Sequence, residues 1–213
     1  MPKELSILTL NVNKGINEYK KLLKLKEYAK DFDVILLQET RGYKKSVLWK
    51  KYLGREGKFS FFRENARGAA ALCRPHIKIT HKMCDNNGRL AACILTDEGV
   101  QTAIISVYMP TLNNTIAAKT EYRETLDRLS EMVNNIKQQT DRIIIGGDFN
   151  LIRSPGIDSE KPDTRTYPDI LEEIVDFEER HNLVDAFRTE HPELKTYTYA
   201  PLGSNTFKVY RRL

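Results

Sequence analysis

Arg142-Ile143-Ile144-Ile145-Gly146-Gly147-Asp148-Phe149-Asn150 is an apolar run that stops at two glycines and then sets a carboxylate and an amide two residues apart. Residues i and i+2 of an extended segment point to the same side, so this reading aims Asp148 and Asn150 at one small volume and turns Phe149 back into the core. Gly146 and Gly147 leave space for another backbone, a ligand or a metal. Taken alone, the stretch reads equally well as a buried strand ending in a glycine turn. Its neighbours decide between the two.

Upstream, Tyr122, Leu126, Leu129, Met132, Val133 and Ile136 recur at spacings of three and four, which predicts an amphipathic helix from about Ala118 to Gln139. Before it, Phe59 to Tyr108 breaks into short strand-like runs at 59–63, 69–74, 77–81, 90–96 and 102–108. Asp85-Asn86-Asn87-Gly88 and Asp97-Glu98-Gly99 supply the turns, and the whole reads as an antiparallel meander. At the N-terminal end, Leu5 to Val12 and Val34 to Leu37 are buried strands around a lysine-faced helix at Tyr19 to Lys30. The segment Arg41 to Lys58 is expected to hold a short helix that packs Trp49 on the core. Downstream, Leu151 to Arg165 is expected as a surface loop and candidate binding edge, followed by a helix with Pro168 in its first turn.

The bulk properties narrow the class. A chain of 213 residues fits one domain, 1–213, able to bury its own core. Three cysteines without a C-x-x-C spacing argue against a disulfide framework or a zinc site and read as reduced thiols in an intracellular protein. No leader is expected at Met1-Pro2-Lys3-Glu4, and no apolar run approaches the ~20 residues that span a membrane. A net charge of +5 makes polyanionic partners plausible. Lys20, Lys21, Lys24, Lys26 and Lys30 read as the solvated face of a helix or as a stripe facing DNA.

Three strands therefore end in polar groups: Asn11, Glu39 and the pair Asp148 and Asn150. Gathered at one edge, they make an oxygen-rich, sulfur-free cluster that suits Mg²⁺ or Mn²⁺, which would neutralise a phosphodiester and polarise water. Leu10-Asn11-Val12-Asn13, Gln38-Glu39-Thr40, Tyr108-Met109-Pro110, Gly147-Asp148-Phe149-Asn150 and Leu183-Val184-Asp185 stand in the order and near the spacing of the exonuclease-endonuclease-phosphatase superfamily. The chain resembles that superfamily, which includes DNase I, exonuclease III and the apurinic/apyrimidinic endonucleases. Arg67-Gly68-Ala69-Ala70-Ala71-Leu72, Asn87-Gly88-Arg89-Leu90 and Leu183 to Arg188 make it most similar to the endonuclease domain of non-LTR retrotransposons.

The resemblance implies a four-layer α/β sandwich, with two packed mixed, mainly antiparallel sheets and helices outside. It implies a Mg²⁺ (or Mn²⁺) phosphodiesterase nicking DNA to leave a 3′ hydroxyl. Glu39 would be the principal metal ligand with Asn11 beside it, Asp148 would orient or deprotonate water, and Asn150 would hold phosphate or metal. Tyr108 would hydrogen-bond the scissile phosphate or leaving oxygen, Asp185 would support the site, and Asn13, Arg41 and Thr206 would touch DNA. The implied setting is a monomer acting in the nucleus beside a reverse transcriptase. An abasic-site or exonuclease III-like repair enzyme and a non-catalytic DNA-binding remnant of a mobile element are the alternatives. The family continues past an Arg-Leu-Asp-type strand to a late Ser-Asp-His-type motif. Arg211-Arg212-Leu213 stops short of it, so this chain is expected to lack its C-terminal strand and to be weakly active or inactive.

Overall fold

The computed structural model describes residues 4–13, 19–41, 46–63, 66–159 and 166–195. By its internal contacts the chain divides into two compact units, Met1–Met109 with Asp127–Phe149, and Pro110–Leu126 with Asn150–Leu213.

The first unit holds two four-stranded sheets. In one, β1 (Ile7–Asn11), β2 (Val34–Gln38), β4 (Ala69–Cys73) and β3 (Glu56–Ser60) lie in the order β1-β2-β4-β3. In the other, β5 (Lys78–Cys84), β6 (Leu90–Asp97), β7 (Val100–Tyr108) and β8 (Ile143–Asp148) follow in sequence. Both sheets are mixed, because β1 runs parallel to β2 and β7 parallel to β8 while the other pairs are antiparallel. Parallel neighbours need a long crossover. Helix α1 (Tyr19–Ala29) supplies it between β1 and β2, and α3 (Ile116–Lys137) between β7 and β8.

Alternation along each strand sorts its side chains into two cores. Val34, Leu36, Ala71 and Cys73 meet Cys93, Leu95 and Ile104 between the sheets. Ile35, Leu37, Ala70 and Leu72 point the other way, against Leu22, Leu25 and Ala29 of α1 and Trp49 and Leu53 of α2 (Ser46–Leu53). Burial on both faces accounts for the unbroken apolar runs of β2 and β4. Each Leu or Ile so buried is worth about 1.5–3 kcal/mol. Trp49 is core, as its sequence context indicates.

The expected single meander is in fact split between the sheets. A strand has two edges, and β4 has used both on β2 and β3. The chain therefore leaves at Arg74 and starts the second sheet with β5. Strand β3 also begins earlier than its aromatic residues indicate. At Gly57 (φ +146) a Cβ would lie 2.1 Å from the Ala71 carbonyl oxygen, so the glycine and charges that look like a loop belong to a closely paired strand.

The second unit contains α4 (Pro155–Asp158), α5 (Pro168–His181) and α6 (Ala186–Glu190), with the first turns of α3. Helix α4 breaks the expected loop after Leu151, and proline at its first turn suits that start. Ile170, Ile174, Phe177 and His181 form the buried stripe of α5. Asp169 accepts from Lys119 and Arg123, and Glu173 accepts from Arg123 at 2.7 Å, pinning α3 to α5. Among the described residues no helix is long and apolar enough to cross a membrane.

Candidate active site

The polar groups at the ends of β1, β2 and β8 meet. Asn11, last residue of β1, donates from Nδ2 to Glu39 Oε1 at 3.2 Å and to Asp148 Oδ2 at 2.9 Å. Its Oδ1 accepts from the Asn13 backbone at 2.9 Å, which fixes the amide's orientation. Two carboxylates from different sheets thus converge on one amide.

Each position has a local cause. Asn11 and Asp148 are brought level because β1 is paired with β2 through Asn11↔Gln38 and β8 with β7 through Tyr108↔Asp148. Gly146 lets the sheets close up, since a Cβ there would lie 2.9 Å from Leu36 Cδ1. At Gly147 (φ +152) a Cβ would stand 2.0 Å from the Val107 carbonyl oxygen. The close approach that the two glycines permit is therefore by Leu36 and by the β7 backbone. Glu39 follows β2 with φ +56, and the turn is held by backbone bonds from Thr40 to Gly68 (3.1 Å) and from Arg41 to Arg67 (3.0 Å). Gly68 is required there, because a Cβ would meet Thr40 Oγ1 at 2.3 Å.

Tyr108 ends β7 beside this pair. Burial raises its phenol pKa above the ordinary value, with the Glu39 carboxylate adding to the rise and Asp148 less so, while Arg89 opposes them. The phenol therefore stays protonated and can donate. Arg89 is the residue sequence reasoning passed over. Its guanidinium lies 4.8 Å from the Tyr108 ring centre and donates to the Tyr108 and Met109 carbonyls at 3.3 and 3.4 Å. Asp85 fixes the turn before it by accepting from the Arg89 and Leu90 backbones. The available signal is an arginine directly after Asn87-Gly88.

The other expected site residues each have a setting of their own. Asn150 is not on the strand. Strand β8 ends at Asp148 and Asn150 has φ +49, so the i, i+2 relation does not govern it. Asp185 caps α6 by accepting from the Arg188 backbone at 3.0 Å and lies 3.8 Å from Arg153, which is bidentate to Glu178. Asn13 (φ +43) accepts from Lys21 through its carbonyl, and Arg41 lies 3.8 Å from Glu39. Thr206 and the C-terminal tail lie outside the described residues.

Glu39 and Asp148 offer carboxylate oxygens without sulfur, while Asn11 turns its amide nitrogen to them and its oxygen to the Asn13 backbone. Among the described residues no third Asp, Glu, His or Cys joins Glu39 and Asp148. That fits Mg²⁺, which is commonly bound through one or two carboxylates and keeps several waters.

Residues 8–199 match the model of the Endonuclease/Exonuclease/phosphatase family. The chain belongs to this family. No curated protein matches the sequence. Among solved structures, an AP endonuclease from Archaeoglobus fulgidus is 20% identical, with 95% of this chain and 80% of that one covered and a TM-score of 0.71. The 3′-5′ exonuclease (NExo) from Neisseria meningitidis is 18% identical over 95% and 81%, with a TM-score of 0.73. The endonuclease domain of TRAS1, a telomere-specific non-LTR retrotransposon, is 14% identical over 86% and 73%, with a TM-score of 0.57. At these identities the likeness establishes the family's α/β fold. Family membership makes a hydrolase of phosphoric ester bonds the coarse description of this chain.

Proposed function

We propose that this family member is a divalent-metal-dependent endonuclease that nicks DNA to leave a 3′ hydroxyl, the target-site nuclease of a non-LTR retrotransposon. In this reading it acts in the nucleus as a monomer, beside the reverse transcriptase of its parent protein. The observation that supports phosphodiester chemistry most directly is the Asn11 amide held between Glu39 and Asp148, with a protonated Tyr108 next to them. The retrotransposon assignment rests on the segments at 67–72, 87–90 and 183–188.

Glu39 with Asn11 would hold Mg²⁺ or Mn²⁺, which when bound supplies charge neutralisation at the phosphate and a more acidic water. Asp148 takes the proton of the attacking water. Asn11 keeps the two carboxylates apart and oriented. Tyr108 donates to a phosphate oxygen or to the departing 3′ oxygen, where a donor counts most as negative charge develops. Asn150 contacts the phosphate, Asp185 braces the site, and Asn13, Arg41 and Thr206 hold the DNA backbone.

Nicking of supercoiled plasmid with Mg²⁺ and with chelator tests this, with Glu39→Ala and Asp148→Ala alongside and polymerase extension of the nick reporting its 3′ end. Metal-dependent nicking lost in both variants, with extendable ends, is expected. Nicking that survived both substitutions would overturn the assignment. Cleavage of an abasic oligonucleotide without cleavage of plasmid would make it a repair nuclease, and DNA binding without any cleavage would make it a non-catalytic binder.

A further inference from the structure

A cleft of about 260 Å³ lies beyond the other end of the first sheet, where α1 stops and β2 begins. Five basic residues line it: Lys26, Lys30, Arg55, Arg74 and His76. The active-site cluster is at the opposite, C-terminal end of β2, about 17 Å away for five strand residues. The floor is rigid. Arg55 is buried and donates to the carbonyls of Ala29 (2.5 Å), Phe32 (2.7 Å) and Asp33 (2.8 Å), while Arg74 donates to Phe32 (3.0 Å) and to Lys30. These bonds set two guanidiniums side by side. Burial and the nearness of Arg74 both lower the Arg55 pKa, so each cation opposes the other.

The acidic groups nearby offset this only in part. Asp33 is 4.0 Å from Arg74 and also accepts from Ser6, Glu27 pairs with Lys30, and Asp31 acts on the same ammonium, which leaves three carboxylates against four Lys and Arg cations. Lys26 makes no ion pair among the described residues and lies 5.0 Å above the Tyr52 ring. Tyr52 in turn meets Tyr19 edge-on at 5.9 Å, and Tyr19 is 65% exposed. From the cleft at the end of α1, Lys26 and the half-buried Tyr52 thus lead back to the exposed Tyr19 at the helix start, about 15 Å away for ten helical residues. Cationic groups that follow a phosphate backbone, beside rings on which bases can stack, are the two parts of a single-strand nucleic-acid site.

The geometry points to a second nucleic-acid site on this face, in which the cleft takes a backbone phosphate of a single strand and Tyr19 stacks a base. It gives Lys26 and Lys30, left open between a solvated face and a DNA-facing stripe, the second role. The site does not depend on cleavage at Glu39 and Asp148.

Binding of a labelled single-stranded oligonucleotide tests it, measured by anisotropy across a salt series in chelator and in the Glu39→Ala background, so that loss of catalysis has no influence. Lys26→Gln with Lys30→Gln removes two charges that hold no backbone carbonyl, and the salt slope should fall by about 1.4, which is about tenfold in affinity at physiological salt. Tyr19→Ala should cost a further factor of about ten. Arg142→Gln with Arg180→Gln, an equal loss of charge at exposed residues that do not line the cleft, should leave the slope within 0.3 or so of the parent. Equal losses from both pairs would overturn the site in favour of net charge. Displacement by inorganic phosphate of no oligonucleotide, with phosphate itself bound in the cleft by titration, would overturn it in favour of a free-phosphate site.

Discussion

Replacing Asn11 by Asp changes one atom pair at the point where two carboxylates meet. The wild-type amide donates to Glu39 at 3.2 Å and to Asp148 at 2.9 Å. Both bonds are charge-assisted but only partly buried, so each is taken at the low end, about 1.5 kcal/mol, and losing both costs about 3 kcal/mol. Asn11→Ala should lose that amount and little more, because the Asn13 N–H that its Oδ1 accepts is exposed and turns to water. Asn11→Asp adds a third negative charge, which at ~3 Å and an effective dielectric near 20 would repel each neighbour by about 5 kcal/mol. Proton uptake caps the penalty. An aspartate forced from about pKa 4 to near 7 costs about 4 kcal/mol at pH 7. A folded-state pKa above the unfolded one means that stability is full below the unfolded pKa and falls as pH rises. The gap between the two variants should therefore open above about pH 4 and be complete near pH 7. At roughly 2–4 °C per kcal/mol for a chain of this size, Asn11→Ala melts about 6–12 °C below wild type and Asn11→Asp a further 8–16 °C lower. Melting curves in chelator and in millimolar Mg²⁺, at pH 4 and pH 7, measure this. The cation should raise Asn11→Asp toward or above Asn11→Ala at pH 7. Two variants that melt together at pH 7 in chelator would refute the convergence of charge on Asn11.

Four other outcomes follow from the same geometry. Gly147→Ala places a Cβ 2.0 Å from the Val107 carbonyl oxygen, so β7 and β8 must part; a loss of at least about 3 kcal/mol in urea unfolding is expected. Tyr108→Phe removes a donor, including its bond to Glu39, while keeping the ring against Arg89, and nicking should slow about a hundredfold with a melting temperature only a few degrees lower at pH 7. The raised Tyr108 pKa places its stabilising effect fully below the unfolded value near 10 and makes it fade above that; alkaline melting curves should show Tyr108→Phe losing less stability than wild type beyond pH 10. Glu39→Gly relieves φ +56 and the repulsion with Asp148 but gives up the bond from Asn11, the Arg41 ion pair at 3.8 Å and the contact with Tyr108, so calorimetry should find melting within a few degrees of wild type, with no nicking.

What sequence could reach here depended on whether the signal was local. Helices α1, α3 and α5 declared themselves through period-3.6 apolar stripes, and β2, β7 and β8 through apolar runs with polar ends. Asn11, Glu39, Tyr108 and Asp148 could be named because each ends such a run. The division of the middle strands between two sheets could not be read, because it depends on which edges of β4 are already occupied, a fact carried by β2 some thirty residues earlier. Asn150 was placed by extending the strand period past its end, where the backbone turns to φ +49 instead. Arg89 went unassigned because its partners, the carbonyls of Tyr108 and Met109, carry no side-chain signature.

The backbone at the strand ends ties these cases together. Glu39, Arg41 and Arg67 all take positive φ in the first unit, where such angles favour glycine. Each costs on the order of 1 kcal/mol and persists only if its surroundings over-determine it. They do. The Thr40 and Arg41 backbones are both bonded to the 67–68 segment, Gly68 in turn donates to Gly88, and at Gly88 a Cβ would lie 2.9 Å from the Phe62 backbone nitrogen. Arg67-Gly68 and Gly88-Arg89 carry family character in the sequence, yet neither holds one of the paired carboxylates. Their physical part is to template the turn that folds Glu39 back toward Asn11 and to seat Arg89 on Tyr108. The strain at Glu39 is thus maintained by glycines distant in sequence, and the carboxylate's position is a property of this backbone scaffold as much as of the strand that precedes it.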